Sequence, residues 1–526
     1  MNNLLVDPVI RVRMADGSVR CLSLPELYAE MVADRVMAFP ALRPHQRHAW
    51  HAFLCQLGAI ALHRAELDEF PESADEWCSL LRGATPEYDG DQPWQLIVDE
   101  PGYPAFMQCP ARDGLSDYRG LKMSPDDLDI LVTSKNHDVK QTTATEAGLE
   151  DWLFALIDLQ TMAGFLGAGN YQIARMNGGF SSRPSLGLAP ADGGPGAHLC
   201  FDIRRMLSGR DALLERYPDY FRRDPGVALV WLEPWDGTDS LDLRDLDPYF
   251  IEICRRVRLM ASDGKIAART AASRCARTYA KMAGGDIGDF WTPVRATDGK
   301  ALSVSSVGFR YDRLSELVLD KETYRRPPAM QVTEEKGARW RLVARGVAAG
   351  QGKTEGYHER VDIAFTTATV RALSRTDERD ALARIAGEQI EEVQQVISAL
   401  RFGIAVAASG GRDASELTKS HRSHAGPYAR RLDSEADACF FPALEERYAA
   451  STGADAEAVA ACREAFARTL IRVAERLLDE AVESVPCPAI QRPRARARAA
   501  SAYWGRLRGN KSVFSNQPEI FRSKRG

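Results

Sequence analysis

Three short stretches of this sequence combine glycine with groups able to bind or cleave a phosphate ester. The first is Gly346 to Gly356, GVAAGQGKTEG, set between β-type runs at Arg339–Ala344 and Val361–Val370. Glycine lets a backbone approach a partner closely and accepts positive φ. Gln351, between Gly350 and Gly352, is therefore presented to something, although a mobile hairpin tip is the plainer reading. Gly352-Lys353-Thr354 suggests a nucleotide-binding P-loop, hence an ATPase. That motif needs a glycine five places before Gly352; Val347 stands there, and Gly346 is one place too early. Glu355, Gly356 and Tyr357 are also a poor opening for the helix whose amides would hold phosphate.

The second stretch, Met176 to Pro184, carries Asn177, Gly178 and Gly179, flanked by Arg175 and Arg183. It fits close backbone approach to a phosphate or a base edge, and it equally fits an ordinary turn. The third runs from Lys135 to Lys140. Its His137-Asp138 pair suggests a metal-dependent nuclease or phosphohydrolase, but that chemistry needs further His and Asp ligands that the sequence does not supply. A polar loop touching RNA or phosphate through Lys135, Asn136, His137 and Lys140 is more economical, with a plain surface loop beside it. Lys281, before Gly284-Gly285, can meet a phosphate or a base acceptor, or snorkel from an apolar surface. His45, His48, His51 and His63 make no metal set by spacing, and the first three are expected along a solvated edge. Neither a metal nor a cofactor is expected.

The elements that must position these groups fall into two parts. Residues 4–12 read as a strand, Asp16-Gly17 as a hairpin turn, and Ser23 as the cap of a helix opening at Pro25. Pro44–Arg64 is a strong helix, with Trp50, Phe53, Leu54, Leu57, Ile60 and Ala61 on one face. Residues 68–130 are irregular, and Leu149–Phe165 is helical. Val227–Leu232 and Leu302–Phe309 are strand candidates. After Val370 the pattern becomes helical: 380–407, 427–449, 455–485 and a basic helix at 494–508 make a bundle of four amphipathic helices. The fold class is α+β, with a mixed α/β domain over 1–375 and a helical bundle over 376–526.

Composition sets the bounds. The chain has 526 residues, 45% hydrophobic and 27% charged, as in an ordinary soluble protein. No apolar run reaches the roughly 20 residues a membrane helix needs. The N-terminus lacks a signal-type pattern, and the ten cysteines are scattered without a CxxC pair; a cytoplasmic protein without a zinc ribbon is expected. The net charge is −5, yet Ile490 to Gly526 holds ten basic residues and one acid, a local +9 that leaves −14 on the remainder. A basic tail on an acidic body suits an anionic partner at that end, or is simply solvated.

Taken in order, these parts resemble the large subunit of type I-E CRISPR Cascade, the CasA family. The resemblance spans nearly the full length. It is carried by the LLVDPVIRV opening, Phe106-Met107-Gln108, the glycine loop at 177–179, the Gln351 loop and the terminal bundle. It implies a non-catalytic subunit that recognises the protospacer-adjacent motif (PAM) in double-stranded DNA. Such a subunit helps open the duplex for the CRISPR RNA and offers a docking surface to a helicase–nuclease. The implied partners are the other Cascade subunits, the CRISPR RNA 5′ handle, target DNA and that helicase–nuclease, with no membrane. By local order, Asn177-Gly178-Gly179 matches the family's PAM-reading loop. Lys281 matches its minor-groove lysine, and Gln351, flanked by Gly350 and Gly352, its glutamine wedge. The loop meeting the RNA handle falls near 133–146. Some relatives carry a cysteine cluster before the lysine; only Cys275 lies there in this chain, so no metal is implied.

Overall fold

The structure, a computed structural model, describes residues 2–131, 146–262, 265–331, 339–515 and 517–521. It divides the chain into two compact units: residues 1–309 with 321–364, and residues 310–320 with 365–526.

In the first unit, Ile10–Met14 pairs antiparallel with Val19–Leu22 through a turn at Asp16-Gly17, where Asp16 Oδ1 accepts the Ser18 amide at 2.8 Å. The expected strand thus begins only at Ile10, after a turn that covers Leu4 to Val6. Ser23 caps the helix Leu24–Val32 in a full capping box: its Oγ accepts the Glu26 amide, and the Glu26 carboxylate accepts the Ser23 amide at 2.7 Å.

The helix Arg47–Arg64 is the axis of the core. Its expected apolar face is buried, but so are Ala52, Cys55, Ala59 and Leu62 on other faces. A helix covered on all sides belongs inside a domain. The helices Leu149–Met162 and Pro195–Arg216 pack against it. His45 and His48 are buried, at 4% and 2% exposure, which overturns the expectation of a solvated edge. Burial first, then the charges of Arg345 and Arg183, lower the His48 pKa to about 3, so this imidazole is neutral.

The long strand Trp340–Gly350 organises the other half of the unit. Over 340–345 it pairs antiparallel with Ser185–Pro190, and over 344–350 with Lys353–Arg360. The expected loop of 346–356 is therefore mostly ladder, and only Gln351 and Gly352 lie outside the two strands. Two further expectations fail. Val361–Val370 contributes only the pair Ala364–Phe365 to the sheet before the helix Thr367–Ser374 begins. Leu302–Phe309 is not a strand. Its polar backbone is taken up one group at a time: the Val304 carbonyl accepts from Ser181 Oγ at 2.9 Å, and the Leu302 amide donates to the Pro293 carbonyl.

The second unit is helical. Thr376–Ala408, Gly426–Thr452, Ala456–Ser484 and Arg492–Arg508 are its long members. Leu382, Ala386, Val393, Ile397 and Leu400 are buried along the first, and Phe466, Leu470, Leu477 and Ala481 along the third. Tyr311, from the short segment 310–320, joins this unit. Its amide donates to Asp437 at 2.7 Å, its hydroxyl to Asp433 at 3.1 Å, and its ring lies 4.8 Å from that of Phe440.

Candidate nucleic-acid interface

The arm Trp340–Arg360 ends in a two-residue turn. Gly350 and Lys353 form the last ladder pair, Gly352 takes φ +67°, and Gln351 is exposed. A two-residue turn with positive φ matches the twist of the strands that it joins. Lys353 opens a strand, not a helix. The Gly352-Lys353-Thr354 triplet thus lacks the helix N-terminus on which a P-loop depends.

The glycine loop is built in two layers. At its tip, Gly178 is exposed with φ +92°, a conformation that suits glycine. The Asn177 side chain ties the tip down: Oδ1 accepts the Gly179 amide at 2.9 Å, and Nδ2 donates to the Ala301 carbonyl at 2.7 Å. A Cβ at Gly179 would meet Ser303 Oγ at 2.9 Å and Asn177 Oδ1 at 3.0 Å, so the residue must be small for reasons internal to the chain.

At its root the loop turns inward. Arg175 and Arg183, which the sequence offers as phosphate contacts, are 3% and 2% exposed. Arg183 forks onto Asp289, Nε to Oδ2 at 2.8 Å and Nη2 to Oδ1 at 2.5 Å. Arg175 binds Glu252 at 2.7 Å and the Phe250 carbonyl at 3.0 Å. A bidentate Arg–carboxylate pair fixes orientation as well as charge, so these arginines hold the loop in place and are unavailable to an incoming phosphate.

Lys281 opens the single turn Lys281–Ala283 and is exposed, between Tyr279 at 60% and Met282 at 88% exposure. The turn ends on Gly284, whose carbonyl accepts the Ala301 amide at 2.9 Å. A Cβ on Gly285 would lie 2.9 Å from the Arg175 carbonyl.

These contacts join the three expected sites through backbone. Ala301 is bonded both to Asn177 and to the turn after Lys281. Ser182 Oγ accepts the Val347 amide at 2.8 Å, and the Ser182 amide donates to the Val347 carbonyl at 3.0 Å. Ser181 reaches Val304 and the Ala349 amide. The segments that carry Asn177, Gly178 and Gly179, Lys281, and Gly350, Gln351 and Gly352 are thus linked by hydrogen bonds within the first unit. Lys135, Asn136, His137 and Lys140 lie outside the described residues. Phe106, Met107 and Gln108 are fully buried, and Gln108 serves the fold: it accepts the Leu259 amide at 2.6 Å and donates to the Leu96 carbonyl.

In the second unit the helix Arg492–Arg508 buries Ala495, Ala499, Tyr503 and Leu507. Arg496 pairs with Glu483 at 2.6 Å, and Arg498 with Asp413 at 3.0 Å. Part of the tail's charge is therefore already answered within the unit.

Among the described residues, two histidine–carboxylate clusters were missed by spacing. One joins His51, His198 and Asp202, the other His45, Asp129 and Asp158. In the first, Asp202 Oδ2 lies 2.9 Å from His51 Nε2 and 3.1 Å from Trp291 Nε1, with His198 at 3.4 Å. Burial, then the neighbouring His51, lowers the His198 pKa to about 4. Asp202 lies 151 residues from His51 and Asp129 lies 84 from His45, beyond any local spacing, whereas His198 and Asp202 stand four apart on one helix, a local signal that could have been read.

Residues 3–200 match the model of the CRISPR-associated protein Cse1 family. No curated protein matches the chain. Among solved structures, Cse1 from Thermobifida fusca is 16% identical with a TM-score of 0.63, over 96% of this chain and 97% of that one. CasA from Thermus thermophilus is 15% identical with a TM-score of 0.61, over 96% and 99%. Cse1 from Acidimicrobium ferrooxidans is 14% identical with a TM-score of 0.60, over 96% and 97%. The resemblance read from the sequence is borne out: the fold is that of Cse1 across both units, and the α+β class with a C-terminal helical region holds. Among the described residues, no helix is long and apolar enough to cross a membrane.

Proposed function

We propose that this chain is the large subunit of a type I-E CRISPR surveillance complex. It recognises the PAM in duplex DNA and helps open the duplex for the CRISPR RNA. The observation that carries this is the Cse1 match over residues 3–200 together with the Cse1 fold over 96% of the chain. The linked segments support a division of labour. Gly178 and Gly179 offer backbone to the minor groove, whose donor and acceptor pattern is degenerate and suits tolerant readout. Lys281 supplies charge and a donor, and Gln351 is the wedge at the tip of the arm. Pressing a side chain into a base stack costs a few kcal/mol, offset by contacts to the deformed duplex. Sequence reading is left to RNA–DNA pairing, as in RNA-guided effectors generally. The bundle joins the subunit to its neighbours and to the helicase–nuclease, and the role of the chain is recognition without catalysis.

The test uses the assembled complex. Gln351→Ala should slow strand opening while leaving the first encounter with PAM-bearing duplex nearly unchanged, and a pre-unpaired bubble beside the PAM should restore the rate. Lys281→Ala should lower the salt slope of binding by about 1 if it neutralises one phosphate. Failure of the bubble to rescue Gln351→Ala would remove the wedge assignment. Failure of the chain to co-purify with CRISPR RNA and partner subunits would remove the whole reading.

A further inference from the structure

The first unit encloses a cluster whose charges do not balance. His45 comes from the turn ahead of the core helix, Asp129 from the segment after Pro125–Asp127, and Asp158 from the middle of Leu149–Met162. They are 4%, 5% and 0% exposed, and one ligand atom from each lies within 4.8 Å of the others. Asp129 is well served: Oδ1 accepts the Leu131 amide at 2.8 Å, and Oδ2 lies 2.8 Å from His45 Nε2 and 3.1 Å from Arg43. Asp158 is not. Among the described residues, neither of its carboxylate oxygens has a hydrogen-bond partner. A buried carboxylate in that position is destabilising unless a proton or a cation joins it.

We propose that His45, Asp129 and Asp158 bind one divalent cation of the Mn²⁺ type, beside the arm Trp340–Arg360. Charge favours this. Burial and the neighbouring Asp129 disfavour a bare charge on Asp158, which a proton or a cation relieves, and the guanidinium beside Asp129, that of Arg43, is shared with Asp126. Geometry agrees. Two ligands at right angles, each about 2.1 Å from an octahedral ion, are about 3 Å apart, close to the 2.8 Å between His45 Nε2 and Asp129 Oδ2. Two carboxylates and one imidazole suit Mn²⁺ better than a thiolate-seeking metal. The cluster at His51, His198 and Asp202 is the weaker candidate. It offers a single carboxylate beside two imidazoles, a weaker set for a hard cation than two carboxylates and one imidazole.

The site bears on the arm through one bond. Leu131, held by Asp129, accepts the Thr354 hydroxyl at 2.9 Å. Thr354 stands three residues from Gln351.

The experiment titrates the full chain, stripped with chelator, with Mn²⁺ and reads the free ion by EPR. One Mn²⁺ per chain should disappear from the free signal. Asp158→Asn should weaken this by at least about tenfold, and His51→Gln should leave it unchanged. No uptake by the wild type, uptake that survives Asp158→Asn, or uptake lost in His51→Gln would each overturn the proposal. Should Asp158→Asn not fold, anomalous scattering at the manganese edge from wild-type crystals decides. A peak at bonding distance from His45, Asp129 and Asp158 supports the site, and a peak elsewhere or none refutes it.

Discussion

Each unit buries one carboxylate between two arginines, and the two carboxylates respond in opposite directions. Asp289 in the first unit is met by Arg183 and Arg175, and Glu392 in the second by Arg447 and Arg463. Burial raises both. At Asp289 the Arg183 charge and fork, then Arg175 and the Thr292 hydroxyl, outweigh it and hold the carboxyl below its ordinary range. At Glu392 burial wins and the carboxyl is pushed up, despite Arg447 and Arg463. The difference lies in the oxygens. Both oxygens of Asp289 are bonded, Oδ2 by Arg183 Nε and by Thr292 at 2.5 Å. At Glu392 only Oε1 is bonded, by Arg463 at 2.5 Å and Arg447 at 3.4 Å, while Oε2 has no hydrogen bond. Glu388 adds a like charge. Completed hydrogen bonding, more than the number of cations, sets the sign.

The sharpest test is Asp289→Asn. It leaves Arg183 buried without its charge partner, and should cost about 3–5 kcal/mol in denaturant unfolding at neutral pH. Glu392→Gln removes a charge that is already disfavoured, and should cost about 1 kcal/mol or less. Equal losses would end the comparison. Acidification separates the two nodes further. The folded pKa of Asp289 is depressed, so its contribution is present above the unfolded value of 3.8 and is lost as pH falls through the folded one. The folded pKa of Glu392 is raised, so its contribution is present below the unfolded value of 4.5 and is lost as pH rises through the folded one. A urea midpoint series from pH 7 to pH 4, read with unit-specific fluorescence, should show the Glu392 node strengthening first. At the loop that Asp289 supports, Gly178→Ala should cost about 1 kcal/mol through its φ of +92° alone, since nothing lies within 4 Å of a Cβ there. Gln351→Ala, at an exposed tip, should stay within about 0.5 kcal/mol in thermal unfolding. A larger loss would mean that the tip helps to hold the fold.

The elements with strong local signals were legible in the sequence. The Ser23 cap, the Asp16-Gly17 turn and the striped helices after Val370 all stand where residue pattern alone puts them. Leu302–Phe309 was not legible, because its apolar alternation mimics a strand while its backbone is taken up by scattered partners, among them the Pro293 carbonyl and the side chain of Ser181, 123 residues from Val304. The candidate site divides the same way. Gly178, Gly179 and Gln351 announce themselves by type. The inward turn of Arg183 depends on Asp289, 106 residues on, which no spacing rule links to it. The buried histidines escaped for the same reason, and because a helix covered on all sides has no solvated edge.

One detail of the arm reaches further than its size suggests. Ala348 stands opposite Gly356 and Ala349 opposite Thr354, so Glu355 is an extra residue, followed by Gly356 at φ +127°. Side chains on a strand alternate sides, and a single inserted residue exchanges the sides of everything between it and the turn. Glu355 thus fixes the parity of the arm. Strand lengths between this point and the tip can change by even numbers with the tip keeping its aspect, whereas an odd change turns it over. The face on which the tip presents Gln351 is therefore set at Glu355, on the other side of the turn.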